Sequence, residues 1–536
     1  MTFQPLTIKV LTDIHLYSKK NGTSGKAYEH ANNKSQIMLS ESGEILDAAF
    51  NQIANDPDCD ILLISGDITS NGDFNSHKEI IEKLQTLKAR GKKVYVITAT
   101  HDFRKSGETY AYKGDERYSV PAATRDLLFD MYREFGPDEA ISVHRESMSY
   151  VIQLCEGYRL FALNDDSNNN GKSGFSDDCF NWITQQAKAA MEEGQFIVAM
   201  THHPLVAPSP IYELIGKGDM LGDYKIRIEQ LADIGVQFIF TGHTHIPNVS
   251  LYQSERGNAI YDICTGSAIG YPGSIRVAQL NPSERKVMLT TQLVETPESF
   301  KKKGKNLQVC LEEQLIGVIR NMIKVAGEDT DKLADSATSI SIKPKVIYKF
   351  GWLIKPIFKL LNSLKVGTVA KWTKKETGLK PSDWQDIKDK KVSDIIIELV
   401  KNLFAGESKY PPETATYKVV MGFLGIIDSI LETLHIDLKK LIKVSPSASQ
   451  LVESLLYCKF FDSYNCELKV YDYIKEGERA ERIAFIPKEE TIKKSKKGPA
   501  ILICAVLLLI VFLPLILILL AFGFIKNQIK YHKKLK

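Results

Sequence analysis

Six short apolar runs constrain this chain more than any other feature: LTIKVLT, DILLISG, KVYVITA, RLFALND, FIVAMTH and VQFIFTG. Several are near-continuously apolar and rich in β-branched or aromatic residues, as strands covered on both faces must be. Amphipathic helix patterns lie between them, at Glu44 to Ala54 and Ser76 to Ala89. Such alternation specifies α/β architecture. Five of the runs also end alike. They lead into the fragments TDIH, SGDIT, ATHDF, THHPL and TGHTH, which place Asp13, His15, Asp67, His101, His202, His243 and His245 at predicted strand ends.

Carboxylates and imidazoles gathered at strand ends make a site for divalent cations, and two adjacent cations are suited to attack on phosphate esters. In the D-x-H unit, Asp13 and His15 alternate along an extended segment and so point to one side. His243 and His245 repeat that spacing. Gly66 allows a sharp turn before Asp67, the natural bridging carboxylate. Six of the eleven histidines fall in these fragments, at 15, 101, 202, 203, 243 and 245. Satisfied loop histidines would account for one or two of them, not for the ordered set.

Beyond TGHTH, the runs AIYDICTG, IRVAQLN and KVMLTTQLV have hairpin spacing and are expected to complete a second sheet, with the strand signal stopping near Glu295. Residues 299–490 read as mainly helical. Apolar spacing predicts helices at Leu307 to Ala326, Val392 to Leu403, Val419 to Leu434 and Leu451 to Phe461, with starts near Ser382 and Ser445. Pro499 to Ile525 carries no charged residue. A bilayer core needs roughly 20 helical residues, so this stretch is long enough to span it. The expected organisation is a catalytic domain over 1–298, a helical domain over 299–490, a basic linker over 491–498, a transmembrane helix over 499–525 and a basic tail over 526–536.

Net charge is only +4, but it is uneven: Ser336 to Lys375 holds nine lysines and no acid. Within that stretch Ile347, Phe350, Ile354, Ile357, Leu361 and Leu364 follow at helical spacing, with Trp352 and Trp372 nearby. A basic, aromatic amphipathic helix suits an anionic membrane surface; a helix packed on its own domain with solvated lysines fits equally. Pro356 interrupts the pattern. No nucleic-acid-binding motif is present. The eight cysteines form no CxxC pair, which favours free thiols in a reducing compartment. The N-terminus runs straight into the first strand without the pattern of a cleaved leader, and this favours a cytoplasmic catalytic domain carried by a single C-terminal anchor. Lysines flank the apolar stretch on both sides, so charge gives no vote on topology. The terminal Lys-Lys-Leu-Lys, which resembles a retrieval signal, argues for the opposite orientation.

The ordered set T-D-I-H, S-G-D, A-T-H-D, T-H-H-P and T-G-H-T-H, over roughly residues 6 to 295, resembles the calcineurin-like metallophosphoesterases, which include the class III cyclic-nucleotide phosphodiesterases. The resemblance implies a two-sheet sandwich flanked by helices. It implies that Asp13, His15, Asp67 and His245 hold one metal, and that Asp67, His202 and His243 hold a second. His101 would stabilise the transition state or protonate the leaving oxygen, and Asp102 would orient His101. His203 would be structural. One position departs from the family pattern: Thr100 stands where the family has Asn, whose amide oxygen is a ligand of the second metal. A hydroxyl is a shorter, weaker donor, so the second site is expected to be the weaker one. A second departure is the long segment from Leu16 to Gly43, expected at the rim of the site, with Tyr17, Lys19, Lys20, Tyr28, His30 and Asn33 available to a substrate.

The expected activity is metal-dependent phosphoester hydrolysis, foremost of phosphodiesters, by a metal-bound hydroxide on two divalent ions of Mn, Fe or Zn. The expected partners are a phosphoester substrate, itself membrane-associated in one reading, and membrane lipid. The rival readings are a hydrolase of a membrane lipid's phosphate or pyrophosphate, and a non-catalytic membrane scaffold with a degenerate metal site.

Overall fold

In the computed structural model, residues 3–166, 173–207, 219–336, 344–406, 410–433, 447–456 and 463–480 are described. Along the chain the strands are β1 (Leu6–Leu11), β2 (Ile61–Ser65), β3 (Lys93–Ile97), β4 (Glu108–Lys113), β5 (Glu116–Pro121), β6 (Ser142–His144), β7 (Ser149–Cys155), β8 (Tyr158–Ala162), β9 (Phe196–Met200), β10 (Phe238–Thr241), β11 (Asn248–Gln253), β12 (Ala259–Cys264), β13 (Ser274–Asn281), β14 (Lys286–Leu293) and β15 (Cys466–Lys469). The longer helices are α1 (Lys26–Asn32), α2 (Ser42–Ala54), α3 (Phe74–Ala89), α4 (Arg125–Tyr132), α5 (Asp177–Glu192), α6 (Tyr224–Asp233), α7 (Leu307–Glu328), α8 (Thr330–Ser336), α9 (Pro344–Ser363), α10 (Val366–Trp372), α11 (Val392–Ala405), α12 (Ala415–Thr433) and α13 (Ala448–Leu456).

Two sheets carry the catalytic half. One runs β15-β14-β13-β1-β2-β3 and the other β11-β12-β10-β9-β8-β7-β6. The strands that lead into the Asp/His fragments are parallel within their sheets: β1 with β2, β2 with β3, and β9 with β10. Their C-terminal ends therefore lie on one edge of each sheet, which gathers the polar fragments. Period-2 alternation sorts each strand between two cores. Ile8, Val10, Ile61 and Leu63 face the second sheet, against Ile152, Leu160, Val198, Phe240 and Ile263. Leu11, Leu62 and Ile64 point the other way, onto α2 and α3 through Ile45, Phe50, Ile80 and Leu84. The outer face of the second sheet is covered by α5 and α6. Asp73 caps α3 by accepting from Ser76 N at 2.8 Å, and Ser176 caps α5 by accepting from Cys179 N at 3.2 Å.

The strands beyond His245 divide differently from the expectation. β12 pairs parallel with β10 in the second sheet, whereas β13 and β14 join the first sheet, β13 antiparallel to β1. The strand signal also resumes after the helices: β15 adds to the open side of β14. The segment after it returns to the second sheet, where Tyr471 and Ile474 bond Gln237 and Asn258. Cys466-Glu-Leu-Lys469 alternates, with Leu468 buried in the core between the sheets and Cys466 packed against it, but four residues are too short a run to stand out in the sequence. The helices between β14 and β15 are thus flanked on both sides by sheet. They also share its core, since Phe300, Leu307 and Leu311 pack with Ile45 and Phe50.

All four predicted helices in this part form over their described residues, and Ser382 lies in a short 3-10 turn, Pro381–Trp384. Within the lysine-rich segment, Ile347 to Leu361 lie in one helix, α9, which continues through Pro356; Leu364 and the later lysines lie beyond its end. No helix among the described residues is long and apolar enough to cross a membrane. The predicted linker, transmembrane stretch and tail over 491–536 lie outside the described residues, as do Ser445 and the last residues of the Leu451 to Phe461 helix.

Candidate metal centre

The ligand fragments leave their strands through strained backbone. Asp13, His15, Asp67, His243 and His245 have φ of +48°, +38°, +49°, +66° and +56°. Residues with a Cβ rarely occupy this left-handed region, and each costs on the order of 1–2 kcal/mol. Among the described residues only eight non-glycine positions do so, and five are these Asp and His residues, so strain is concentrated at one place. Asp13 and His15 therefore do not sit on a regular extended strand, as the D-x-H spacing suggested. Their N–H groups still bond Gly66 O and Asp67 O, at 3.1 and 3.0 Å, which holds the two fragments in parallel. Gly66 has φ +97°, and a Cβ there would meet His202 Nδ1 at 2.6 Å and Ala99 Cβ at 2.8 Å. The glycine provides both the turn and the space for a ligand ring.

The side chains converge in three overlapping groups: Asp13, His15 and His245; His15, Asp67 and His101; and Asp67, His202 and His243. Asp13 Oδ1 lies 3.2 Å from His245 Nε2 and 3.7 Å from His15 Nε2. Asp67 Oδ2 lies 3.2 Å from His202 Nε2 and 3.9 Å from His15 Nε2, which places this carboxylate between the two halves.

Hydrogen bonding fixes what these atoms can be. His202 Nδ1 is 2.9 Å from the Ser65 carbonyl, so Nδ1 carries a proton and Nε2 is the atom turned toward Asp67. Against burial, the Asp67 and Asp13 carboxylates hold this imidazole well above its usual pKa, so it pairs with Asp67 as a cation; a divalent ion bound there would take the place of the Nε2 proton. Asp13 Oδ1 is buried and accepts no hydrogen bond. His15 Nε2 and His245 Nε2 face one another at 3.2 Å. A buried carboxylate oxygen and converging ring nitrogens, all short of donors, fit divalent metal ions.

The supporting residues differ in part from expectation. His101 N donates to Asp67 Oδ1 at 2.9 Å, and His101 Nδ1 donates to Ser70 O at 2.8 Å. The ring is oriented by that carbonyl, not by Asp102. Asp102 instead accepts from Thr69 N at 2.7 Å and Ala99 N at 2.8 Å, clamping together the loops that carry Asp67 and His101. Its side chain is spent on backbone donors and does not reach the ring. Thr100 is half-buried, and its carbonyl accepts from Arg104 at 3.4 Å. His203 is held by Asp165, which accepts from His203 N at 2.7 Å and faces its Nδ1 at 3.1 Å.

The segment from Leu16 to Gly43 reaches the centre through Gln36. This residue is 2% exposed, and its side-chain amide lies 3.3 Å from His245 Nδ1. The residues expected to meet substrate lie elsewhere. Tyr17 and Tyr28 are buried, and Tyr17 OH donates to Asn21 O and Gly22 O. Lys19 pairs with Glu44. His30 and Asn33 line a groove with Gln314 and Asn321, and its lining includes none of the metal-centre residues. Reading the sequence missed Gln36, for which it holds no signal. It also missed Asp165, where the run RLFALND closes on a carboxylate just as the ligand fragments do.

Charge follows the geometry. Burial opposes ionisation of Asp13, but His245 and His202 outweigh it and hold the carboxyl below the usual range. Asp67 behaves likewise, through His202 and His101. Burial, with the charge of His101, pushes His15 down to about 3, so it is a neutral ligand at ordinary pH. Burial and the charge of Asp67 push Asp102 up to about 7.

Residues 6–247 match the calcineurin-like phosphoesterase family. A probable cyclic nucleotide phosphodiesterase of Xenorhabdus bovienii is 22% identical over 242 residues, which are 45% of this chain and 78% of that protein. A dimetal phosphatase from Danio rerio aligns in structure over 53% of this chain and 95% of its own, at 13% identity and a TM-score of 0.36. Purple acid phosphatase from yellow lupin seeds aligns over 55% of this chain and 52% of its own, at 10% identity and a TM-score of 0.33. With its Asp/His fragments converging in the matched region, the chain carries a calcineurin-like phosphoesterase domain and is a phosphoesterase.

Proposed function

We propose that this enzyme hydrolyses phosphodiesters with two divalent metal ions. Asp13, His15, Asp67 and His245 would hold one, and Asp67, His202, His243 and Thr100 the other. The observation that carries the reading is Asp67, whose one oxygen lies within 3.9 Å of ring nitrogens from both halves. Two bound ions of Mn, Fe or Zn would neutralise the phosphodiester anion and acidify a water. The residues do the rest. Ser70 O fixes the Nδ1 edge of His101, so Nε2 is the atom that would face the departing oxygen, to stabilise the transition state or to protonate that oxygen. Asp102 keeps the two loops in register. The likeness to a probable cyclic nucleotide phosphodiesterase favours a diester over a monoester.

The test is turnover of bis-p-nitrophenyl phosphate with Mn, beside p-nitrophenyl phosphate. The diester is expected to be preferred, and Asp67→Ala and His202→Ala to abolish its turnover. Retained activity in both variants sinks the assignment of ligands, and a preference for the monoester sinks the substrate class. Residues 499–525 would anchor the chain in a membrane, with the catalytic domain on the cytoplasmic side; protease protection in sealed vesicles decides that placement. A lipid phosphate as substrate is the second reading, separated by comparing cyclic nucleotides with phospholipids in detergent.

A further inference from the structure

Helix α9 is divided lengthwise. Ile354, Phe358 and Leu361 are buried, and Gly351 lies close enough to Thr330 that a Cβ would meet its Oγ1 at 2.6 Å. The packing demand of an amphipathic helix is thus met on that side. The other side carries Tyr348, Trp352, Lys355 and Lys359, spaced four, three and four residues apart and therefore on one stripe, with Pro356 and Leu360 beside it; all six are exposed. Trp352 is 61% exposed and Leu360 51%. Trp372, at the end of α10, is 55% exposed and is flanked by exposed Lys371, Lys374 and Lys375. Neither Lys355 nor Lys359 has an ion-pair partner among the described residues, and no acidic residue occurs from Ser336 to Lys375.

We propose that this outward stripe of α9, with Trp372 beside its lysines, docks on an anionic lipid surface. Two observations select a bilayer over a protein partner. The charge is of one sign and carries no carboxylate that would fix a protein's register, which suits a fluid array of phosphate headgroups. Tryptophans among lysines match the boundary between headgroups and acyl chains, where the indole body is buried and its N–H stays wet. The chain beyond Ala480 supplies a third reason: its uncharged stretch, 499–525, begins fewer than twenty residues past the described part. This inference rests on the membrane placement proposed above. It goes further, because it states which face of the folded part meets the lipid.

The four tryptophans are Trp182, Trp352, Trp372 and Trp384, and none lies in the C-terminal stretch, so indole emission reports only the folded part. The full chain is incorporated into vesicles of brominated phosphatidylcholine alone, or of an equimolar mixture with phosphatidylglycerol. Emission is expected to be quenched in the anionic vesicles and far less in the neutral ones, with most of the difference lost in Trp352→Phe. The double variant Lys355→Glu, Lys359→Glu keeps every indole and is expected to shift the docking equilibrium by more than about tenfold. Equal quenching in both vesicle types, or a Trp352→Phe variant quenched like the wild type, overturns the proposal. So does a dependence on protein concentration rather than lipid charge, which would assign the face to a second copy of this chain. A chain that does not float with either vesicle defeats the membrane placement itself, and the docking with it.

Discussion

The two halves of the metal centre differ in what stands behind their ligands. On the Asp13 side, Asp13 Oδ2 accepts from Thr12 Oγ1 at 2.7 Å and His243 N at 2.8 Å, and Ser267 Oγ donates to the Asp13 carbonyl at 2.7 Å. His245 is backed by Gln36. On the other side His202 is fixed by Ser65 O, and Asp219 Oδ1 lies 3.9 Å from His243 Nε2. In the proposed assignment Thr100 would complete that half, where the family pattern has Asn. Ligands held in place before a metal arrives bind it more tightly, because less freedom is lost on binding. The comparison teaches that the long insertion after β1 acts as a brace for one half of the centre, through Gln36 on His245.

Removing the shared carboxylate erases the distinction. Asp67→Ala is expected to empty both positions, with bound Mn per chain falling to near zero by elemental analysis and diester turnover falling by at least about a hundredfold. One fully retained ion would mean that the halves are independent and that Asp67 does not link them.

The brace itself is the next test. A metal-bound His245 needs its Nδ1–H oriented, and the Gln36 amide oxygen can accept it once the amide is turned. The insertion is in turn held by α7, where Gln314 donates to Asn32 O at 2.9 Å and Ser35 O at 2.6 Å. Gln36→Ala is expected to weaken the tighter Mn site by roughly 10- to 100-fold in calorimetric titration. Gln36→Glu, which keeps an acceptor, should largely restore it. An unchanged tighter site, or equal weakening of both, breaks the comparison.

Thr100→Asn addresses the second half and is expected to have a smaller effect. An amide oxygen in place of a hydroxyl should tighten the weaker site by up to about tenfold and leave the tighter one unchanged. Identical stoichiometry and affinity in wild type and variant would show that Thr100 already serves, or that neither residue ligates.

These supporting residues also mark where the sequence stops being legible. The strand runs and their polar ends were readable, because apolar β-rich segments and a terminal Asp or His are local signals, and parallel pairing then brings the ends together. Gln36 was not readable: a polar residue in a long loop looks the same whether it faces water or His245, and only the packing of α7 on the insertion decides. Asp102 was readable as important but not in its role, since its partners Thr69 and Ala99 lie on backbone that the sequence does not place. The hairpin β4–β5 and strand β15 escaped for a related reason. β4 and β5 show little in-and-out alternation, and β15 is only four residues long, so pairing with a neighbour's backbone decides what the local pattern does not.

Asp262 provides the finest test, because it supports the second half from a distance. It is buried in β12; Oδ1 accepts from Thr241 Oγ1 at 2.6 Å, and Oδ2 from Leu205 N at 2.7 Å and Val206 N at 2.8 Å. It thereby ties the loop that follows His202 to the strand beside β10. Burial pushes its pKa from 3.8 to about 6 despite these donors. A carboxyl whose folded pKa is raised binds its proton more tightly when folded, so its contribution to stability is complete below pH 4 and is lost as pH rises through 6. The full loss corresponds to about 3 kcal/mol. Asp262→Asn can accept both backbone N–H groups on its amide oxygen and donate to Thr241, yet cannot ionise. Urea unfolding of the two proteins should therefore run parallel below pH 4 and diverge in the variant's favour between pH 4 and 7, with diester turnover changing less than in any other variant. If the two curves stay parallel throughout, Asp262 is ionised in the folded protein without penalty, and the three donors outweigh its burial.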